Sequence, residues 1–201
     1  SALFFVAAGA LGAILQYRVF RVPQGRALIL YIWHTAFCLF YLYHSTTNVA
    51  DTVFYFDRSL GSDIGFGLGG KSVILLTSLF TQGLGMSYGG VFLVYNLFGF
   101  LGLVALASAL QTTVATKGGR TRQLALLVLV LPGFSFWSAA IGKDSISFMA
   151  VGLASWSALR LARRFPAMVI AVLALVFVRP HIAGFLLIAL ALATIFAART
   201  S

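Results

Sequence analysis

Glutamate is missing from this 201-residue chain, and its only side-chain carboxylates are Asp51, Asp57, Asp63 and Asp144. Charged residues of either sign make up 9% of the sequence against 61% hydrophobic residues, with a mean hydropathy of +1.01. That composition cannot furnish the polar shell of a soluble globule. The single cysteine, Cys38, sits inside an apolar run, so no intrachain disulfide forms and the compartment's redox state is not indicated. There is no His-x-x-x-His or Glu-x-x-His spacing, no thiol pair and no Gly-x-Ser-x-Gly elbow, which removes the commonest zinc and serine-hydrolase sites. No cofactor is expected; in the weaker alternative of a divalent metal, Asp51 and Asp57 are its ligands. The net charge of +10 comes from short clusters that punctuate apolar runs rather than from a solvated basic domain, so nucleic acid is not an expected partner. The chain opens on Ser1 directly in apolar sequence, which reads as a processed or truncated end of a longer protein.

Apolar runs do recur, at about 2 to 16, 27 to 43, 89 to 110, 124 to 141, 145 to 159, 166 to 178 and 182 to 198. Roughly 20 helical residues span a hydrocarbon core, and shorter runs cross when flanking arginines snorkel or neighbours cover them. If these seven cross, Arg18, Arg21, Arg26, Lys117, Arg120, Arg122, Arg160, Arg163, Arg164 and Arg199 share one side, while all four aspartates lie on the other with Arg58, Lys71, Lys143 and Arg179. The positive-inside rule makes the arginine-rich side cytoplasmic. Letting the stretch Val73 to Phe80 cross as well would split the basic clusters between the two sides, so it reads as a short interfacial or re-entrant helix. The expectation is an all-α polytopic transmembrane helix bundle, a single domain over 1–201. It has about seven crossings, one short extra helix inside an extracytoplasmic loop over 44–88, the N-terminus outside and the C-terminus inside.

Three segments then meet at the extracytoplasmic surface, and ionisable groups at membrane depth are costly enough to suggest a site. The first holds His44, Asp51, Tyr55, Asp57, Arg58, Asp63 and Lys71. Its aspartates recur every six residues, which matches no helical face, so a solvated loop is the plainer reading there. The second is the turn Gly142-Lys143-Asp144-Ser145, where Asp144 is a natural N-cap for the helix that follows and a neutralising neighbour for Lys143. The third is Arg179-Pro180-His181, where Arg179 either snorkels to the interface or offers, with the titratable His181, a seat for phosphate or pyrophosphate. The run Gly65-Phe66-Gly67-Leu68-Gly69-Gly70-Lys71-Ser72 fits a nucleotide-binding loop pattern, but no strand precedes it and no later strand offers a magnesium-holding Asp. What survives is a glycine-rich backbone at Gly69, Gly70 and Lys71 able to face a lipid phosphate. The aromatics Trp33, Phe37, Phe40, Tyr41 and Tyr43 read as lipid-facing packing. Gly83, Gly85, Gly89, Gly90, Gly99 and Gly102 read as close helix packing and a flexible turn.

The stretch from Pro132 through Phe136, Trp137, Gly142, Lys143, Asp144 and Ser145, followed by Val178-Arg179-Pro180-His181, resembles polysaccharide-biosynthesis integral membrane proteins. It is similar to EpsG-type and Wzy-type polymerases and, more broadly, to GT-C glycosyltransferases. The likeness is concentrated in about 130 to 185, with a looser match from Asp51 to Tyr55. It implies transfer or polymerisation of sugars from a polyprenyl-phosphate or polyprenyl-pyrophosphate donor at the outer face of a bacterial cytoplasmic (inner) membrane. It also implies an early extracytoplasmic acidic residue, for which Asp51 is the counterpart. On that basis Asp51 is the candidate base, Arg179, His181 and Lys143 hold the leaving group, and Asp144 orients Lys143. The implied partners are membrane lipids and a polyprenyl-linked glycan. Two other classes compete: a noncatalytic membrane subunit of a larger complex, packing against other membrane subunits, and a lipid or ion transporter.

The charge partition makes a direct prediction. In a Cys38-free background, Asp57→Cys and Asp144→Cys react with an impermeant thiol reagent from outside intact cells, and Gly118→Cys and Ala162→Cys do not; labelling at 118 or 162 reverses the orientation.

Overall fold

A computed structural model describes the backbone of residues 2–200 and the side chains of residues 3–196; Ser1 and the Arg199 side chain lie outside that range. Every regular element among the described residues is a helix. Five stretches are long and apolar enough to cross a membrane: Leu3–Phe20, Gln24–Thr47, Tyr88–Thr113, Gly119–Ser138 and Leu161–Val178. The first of these holds α1 (Ala2–Leu15) and the short α2 (Tyr17–Phe20), and α3 (Gln24–Thr47) returns after Pro23. Two shorter helices follow, α4 (Asp51–Ser59) and α5 (Gly70–Thr81), before the long α6 (Tyr88–Thr113). Then come α7 (Gly119–Leu127), a single 3-10 turn, α8 (Pro132–Ser138), α9 (Lys143–Ala158), α10 (Leu161–Val178) and α11 (Pro180–Thr200).

Local sequence explains most of the boundaries. Ser87 caps α6 by accepting from the Gly90 N–H, and Pro132 and Pro180 each stand at the first turn of a helix, where the missing N–H costs nothing. Leu131, held extended before Pro132, breaks the expected run 124 to 141 into α7, the turn and α8. Pro166 lies inside α10 two residues after a kink at Arg164 (φ −117°, ψ 18°).

The loop expected over 44–88 is largely helical. α3 continues to Thr47, carrying His44 with it, and Asp51 begins a nine-residue helix rather than a solvated loop. Two hydroxyl bridges hold that helix down: Thr52 Oγ1 meets the Tyr88 hydroxyl at 2.9 Å, which also reaches Ser45 Oγ at 2.9 Å, and Ser59 Oγ meets Thr81 Oγ1 at 3.1 Å. The six-residue spacing of the aspartates misled because all three are exposed and none belongs to the buried face of α4. Thr52, Tyr55 and Ser59 form the buried stripe of α4, at the i, i+3, i+7 spacing of a helix face.

Helix α6 is the axis of the bundle. In an 18-residue apolar window of each of the five long stretches, 78% of the residues are buried in α6 against 17% in Gly119–Ser138, so α6 is surrounded by protein and the other four are more peripheral. Two apolar clusters sit along it. One contains Tyr95, Phe92, Val73 and Ile141 towards the α4 end; the other contains Leu103, Phe100, Leu129 and Trp156 towards the opposite end. The peripheral faces expose Ile29, Ile32, Phe40, Ile170, Phe185 and Ile188, an apolar exterior compatible with lipid.

α9 lies between α6 and α10 and touches α6 backbone to backbone. A Cβ on Gly152 would run into the Gly102 carbonyl, and a Cβ on Gly102 would lie 2.6 Å from the Met149 Cα. Small residues at a crossing allow such approach. Gly99 likewise faces the Ser138 carbonyl and the His34 ring, whereas Gly83 and Gly85 (φ 61°) serve the α5–α6 turn. Gly152→Val is therefore expected to destabilise the bundle by about 1–3 kcal/mol in detergent micelles. Gly133→Ala, where a Cβ meets nothing, stays within about 0.5 kcal/mol. Equal unfolding midpoints for the two variants would mean that α6 and α9 do not touch.

Candidate functional site

A cleft of about 420 Å³ opens where α3 ends and α4 and α9 begin. Its walls come from five places in the sequence: Tyr41 and His44 on α3, Val49 to Tyr55 around the start of α4, Phe136 and Trp137 on α8, Ala140 to Asp144 leading into α9, and Arg179 after α10. Asp51, Lys143, Asp144 and Arg179 thus share one cavity although 128 residues separate the first from the last.

Each polar group is placed by its helix. Asp51 and Asp144 stand in the first turns of α4 and α9, where the positive helix end favours a carboxylate. Tyr55, one turn after Asp51, turns into the same cleft and is buried. Burial pushes the Tyr55 phenol above its ordinary value, the Asp51 and Asp144 carboxylates push it further, and Arg179 offsets part of this. At neutral pH the phenol is a protonated hydrogen-bond donor aimed among charges. Gly142, in extended backbone, leads the chain past the Tyr55 ring into α9.

Arg179 Nη2 donates to Asp144 Oδ1, the sole ion pair among the described residues. This departs from the expected roles of Asp144: its partner is Arg179 rather than Lys143, and no side chain caps α9, whose N-cap is Gly142. The reason is geometric, since consecutive residues at a helix start point in different directions while the end of α10 packs beside that first turn. The pair neutralises itself. Lys143 and Asp51 make no hydrogen bond or ion pair with described residues, so one cation and one anion remain available in the cleft.

His181 does not join them. It is exposed on α11 outside the cleft wall, because Pro180 starts a helix that turns the next side chain away. The imidazole that does line the cleft is His44, whose Nδ1 is buried without a partner and whose ring lies 5.9 Å from Tyr41 and 6.3 Å from Phe136. Tyr41, Phe136 and Trp137 complete an aromatic wall, with ring centroids 4.5 Å and 5.1 Å apart along the series. Of these, Tyr41 was readable in sequence only as packing, since nothing in a single chain tells a lipid-facing ring from a cleft-facing one, whereas Phe136 and Trp137 belong to the stretch that carries the resemblance.

The glycine-rich stretch is not an open cradle. Gly69, at φ 72°, gives its N–H to the Phe177 carbonyl at 2.7 Å, and Ser72 Oγ is bound to the same carbonyl at 2.6 Å. Gly70 packs against the Tyr55 ring behind the cleft, and Lys71 lines a separate side cavity of about 520 Å³ with Arg58 and Asp63. Asp57 is exposed on α4 and lines neither cavity, so it is not placed to share a metal with Asp51. Among the described residues no three His, Cys, Asp or Glu side chains gather as metal ligands.

A second, larger cavity of about 900 Å³ adjoins the cleft and is lined almost wholly by apolar groups, among them Leu106, Leu131, Phe134, Phe148, Val151 and Ile182. It shares Trp137, Asp144 and Arg179 with the cleft. A charged cleft and an apolar groove therefore border one another at the ion pair and the Trp137 ring. No family model, curated protein or solved structure matches the chain.

The Arg179 and Asp144 side chains are 31% and 49% exposed, so solvent screens their attraction and the pair positions groups rather than holding the fold. Asp144→Asn is expected to change unfolding stability by less than about 1 kcal/mol. A denaturation curve showing a loss of several kcal/mol would instead make the pair structural.

Proposed function

We propose that this chain is a multi-pass protein of a bacterial cytoplasmic membrane that transfers or polymerises sugars from a polyprenyl-linked phosphate or pyrophosphate donor. In this reading seven segments cross, α4 and α5 lie at the surface, and the cleft faces the extracytoplasmic side with the N-terminus outside and the C-terminus inside. The observation that carries it is the junction of cleft and groove at Trp137, Asp144 and Arg179. A lipid-linked sugar phosphate has the same sequence of chemistries: an apolar chain, an anion, then a polar ring.

The polyprenyl chain occupies the apolar groove, which places its phosphate at the Arg179 guanidinium. Asp144 holds that guanidinium in place, and the unpaired Lys143 supplies a second positive charge. The sugar lies against the aromatic wall of Tyr41, Phe136 and Trp137, and the acceptor hydroxyl enters beside Asp51. In an inverting transfer the acceptor oxygen bonds to the anomeric carbon as the bond from that carbon to the phosphate oxygen breaks. The hydroxyl proton passes to Asp51, and the lipid phosphate leaves as an anion stabilised by Lys143 and Arg179. The neutral Tyr55 phenol donates to an oxygen of the substrate on the Asp51 side.

Asp51→Asn, Lys143→Ala and Arg179→Ala are each expected to reduce transfer from a lipid-linked sugar donor at least about a hundredfold, the usual weight of an acid–base or oxyanion group. Membrane insertion and the unfolding midpoint stay unchanged. Full transfer by all three variants removes the reading, whereas His181→Ala, outside the cleft, leaves transfer intact.

A further inference from the structure

The end of the bundle opposite the cleft carries cations with no counter-charge. Arg21 closes α2 in the left-handed region (φ 58°, ψ 26°), the only non-glycine residue with positive φ among the described residues. Arg164, at the kink of α10, stacks over the Trp156 ring with its guanidinium carbon 3.9 Å from the ring centroid, and its Nη1 donates to the Trp156 carbonyl. Arg160 precedes α10, where its carbonyl accepts from the Arg164 N–H at 3.1 Å, and Arg21 directly follows Phe20, whose ring packs on Trp156. All the aspartates are elsewhere: Asp51 and Asp144 in the cleft, Asp63 in the side cavity, and Asp57 on α4. Neighbouring guanidinium groups repel one another unless an anion joins them, and none of the four aspartates stands at this end.

The surroundings say what kind of anion. Phe20 packs on the same Trp156 ring at 4.8 Å between centroids and also lines a narrow apolar groove of about 220 Å³ between α1 and α6. That groove is open at Gly12, where a Cβ would meet nothing. At its lower edge Gln16 gives Nε2 to the Val22 carbonyl at 2.7 Å and leaves Oε1 buried without a partner. Beside the arginines the chain exposes Val19, Leu159 and Phe165, so the cations border an apolar exterior rather than a water-facing domain.

We propose that this end of the bundle binds an anionic phospholipid, its phosphate held by Arg21, Arg160 and Arg164 and one acyl chain laid along the groove between α1 and α6. Planar guanidinium groups match phosphate oxygens in pairs, and the stacking on Trp156 presents Arg164 already oriented. Basic pockets at the ends of membrane helices recognise such headgroups. The site is independent of the sugar-transfer reading, since it needs only that the bundle sits in a bilayer.

The test is native mass spectrometry of the full chain released from nanodiscs of mixed phosphatidylglycerol and phosphatidylcholine. The wild type retains phosphatidylglycerol in preference to phosphatidylcholine. Arg160→Gln and Arg21→Asn each lower that retention about fivefold, and Asn accepts the left-handed backbone that Arg21 adopts. Gly12→Leu fills the groove and lowers retention of the two-chain lipid while leaving thermal protection by soluble glycerophosphate unchanged. Arg160 is exposed, so its variant alone decides the headgroup if Arg21→Asn does not fold. Equal retention of the two lipids by the wild type, or unchanged retention in Arg160→Gln, overturns the proposal. So does thermal protection by inorganic phosphate as large as that by phosphatidylglycerol, which would leave an anion site with no lipid chain.

Discussion

Gly102 and Gly152 let two helix backbones touch, and the cleft is built on that contact. α9 carries Lys143 and Asp144 at its start, so its lateral position against α6 sets where those charges stand. Because α9 is also clamped on its other side by α10, the same contact determines where Arg179 emerges and allows it to reach Asp144. A side chain at either glycine would push α9 outward by the width of a methyl group or more and open the ion pair. The chemistry at one end of the bundle thus depends on a packing constraint in its middle.

The shortage of carboxylates shapes both ends. With four aspartates and fourteen basic residues, most cations have no intramolecular partner, and the fold does not spread the few anions evenly. It places Asp51 and Asp144 together and pairs one of them, leaving a cleft with balanced but partly unsatisfied charge. The other end has basic residues without an aspartate, and Arg164 there is steadied by an aromatic ring rather than by an acid. In the readings we propose, the first end takes a polar substrate with an anionic link and the second an anionic headgroup.

Hydroxyl groups do the connecting work that ion pairs do in a soluble protein. Ser45, Thr52 and Tyr88 tie α3, α4 and α6 together beneath Asp51, and Ser59 with Thr81 joins α4 to α5. In an apolar surrounding such neutral bonds avoid the desolvation cost of buried charge. They keep α4 close to the bundle although only nine residues long.

Composition and periodicity by themselves determined the helical class, the apolar runs, and the grouping of Asp51, Lys143, Asp144 and Arg179 near one end, because hydrophobicity and charge placement are properties of residues in order. α4 was not legible, since its inward stripe is Thr52, Tyr55 and Ser59, and polar side chains give no apolar period to read. Gly152 lay inside an apolar run like any other small residue, and only the facing Gly102 gives it meaning. Which neighbour Asp144 chooses, that His44 rather than His181 enters the cleft, and that Gly69 has already spent its N–H are likewise facts of the assembled bundle. They depend on distances between segments far apart in the chain, and those distances exist only once the helices have packed.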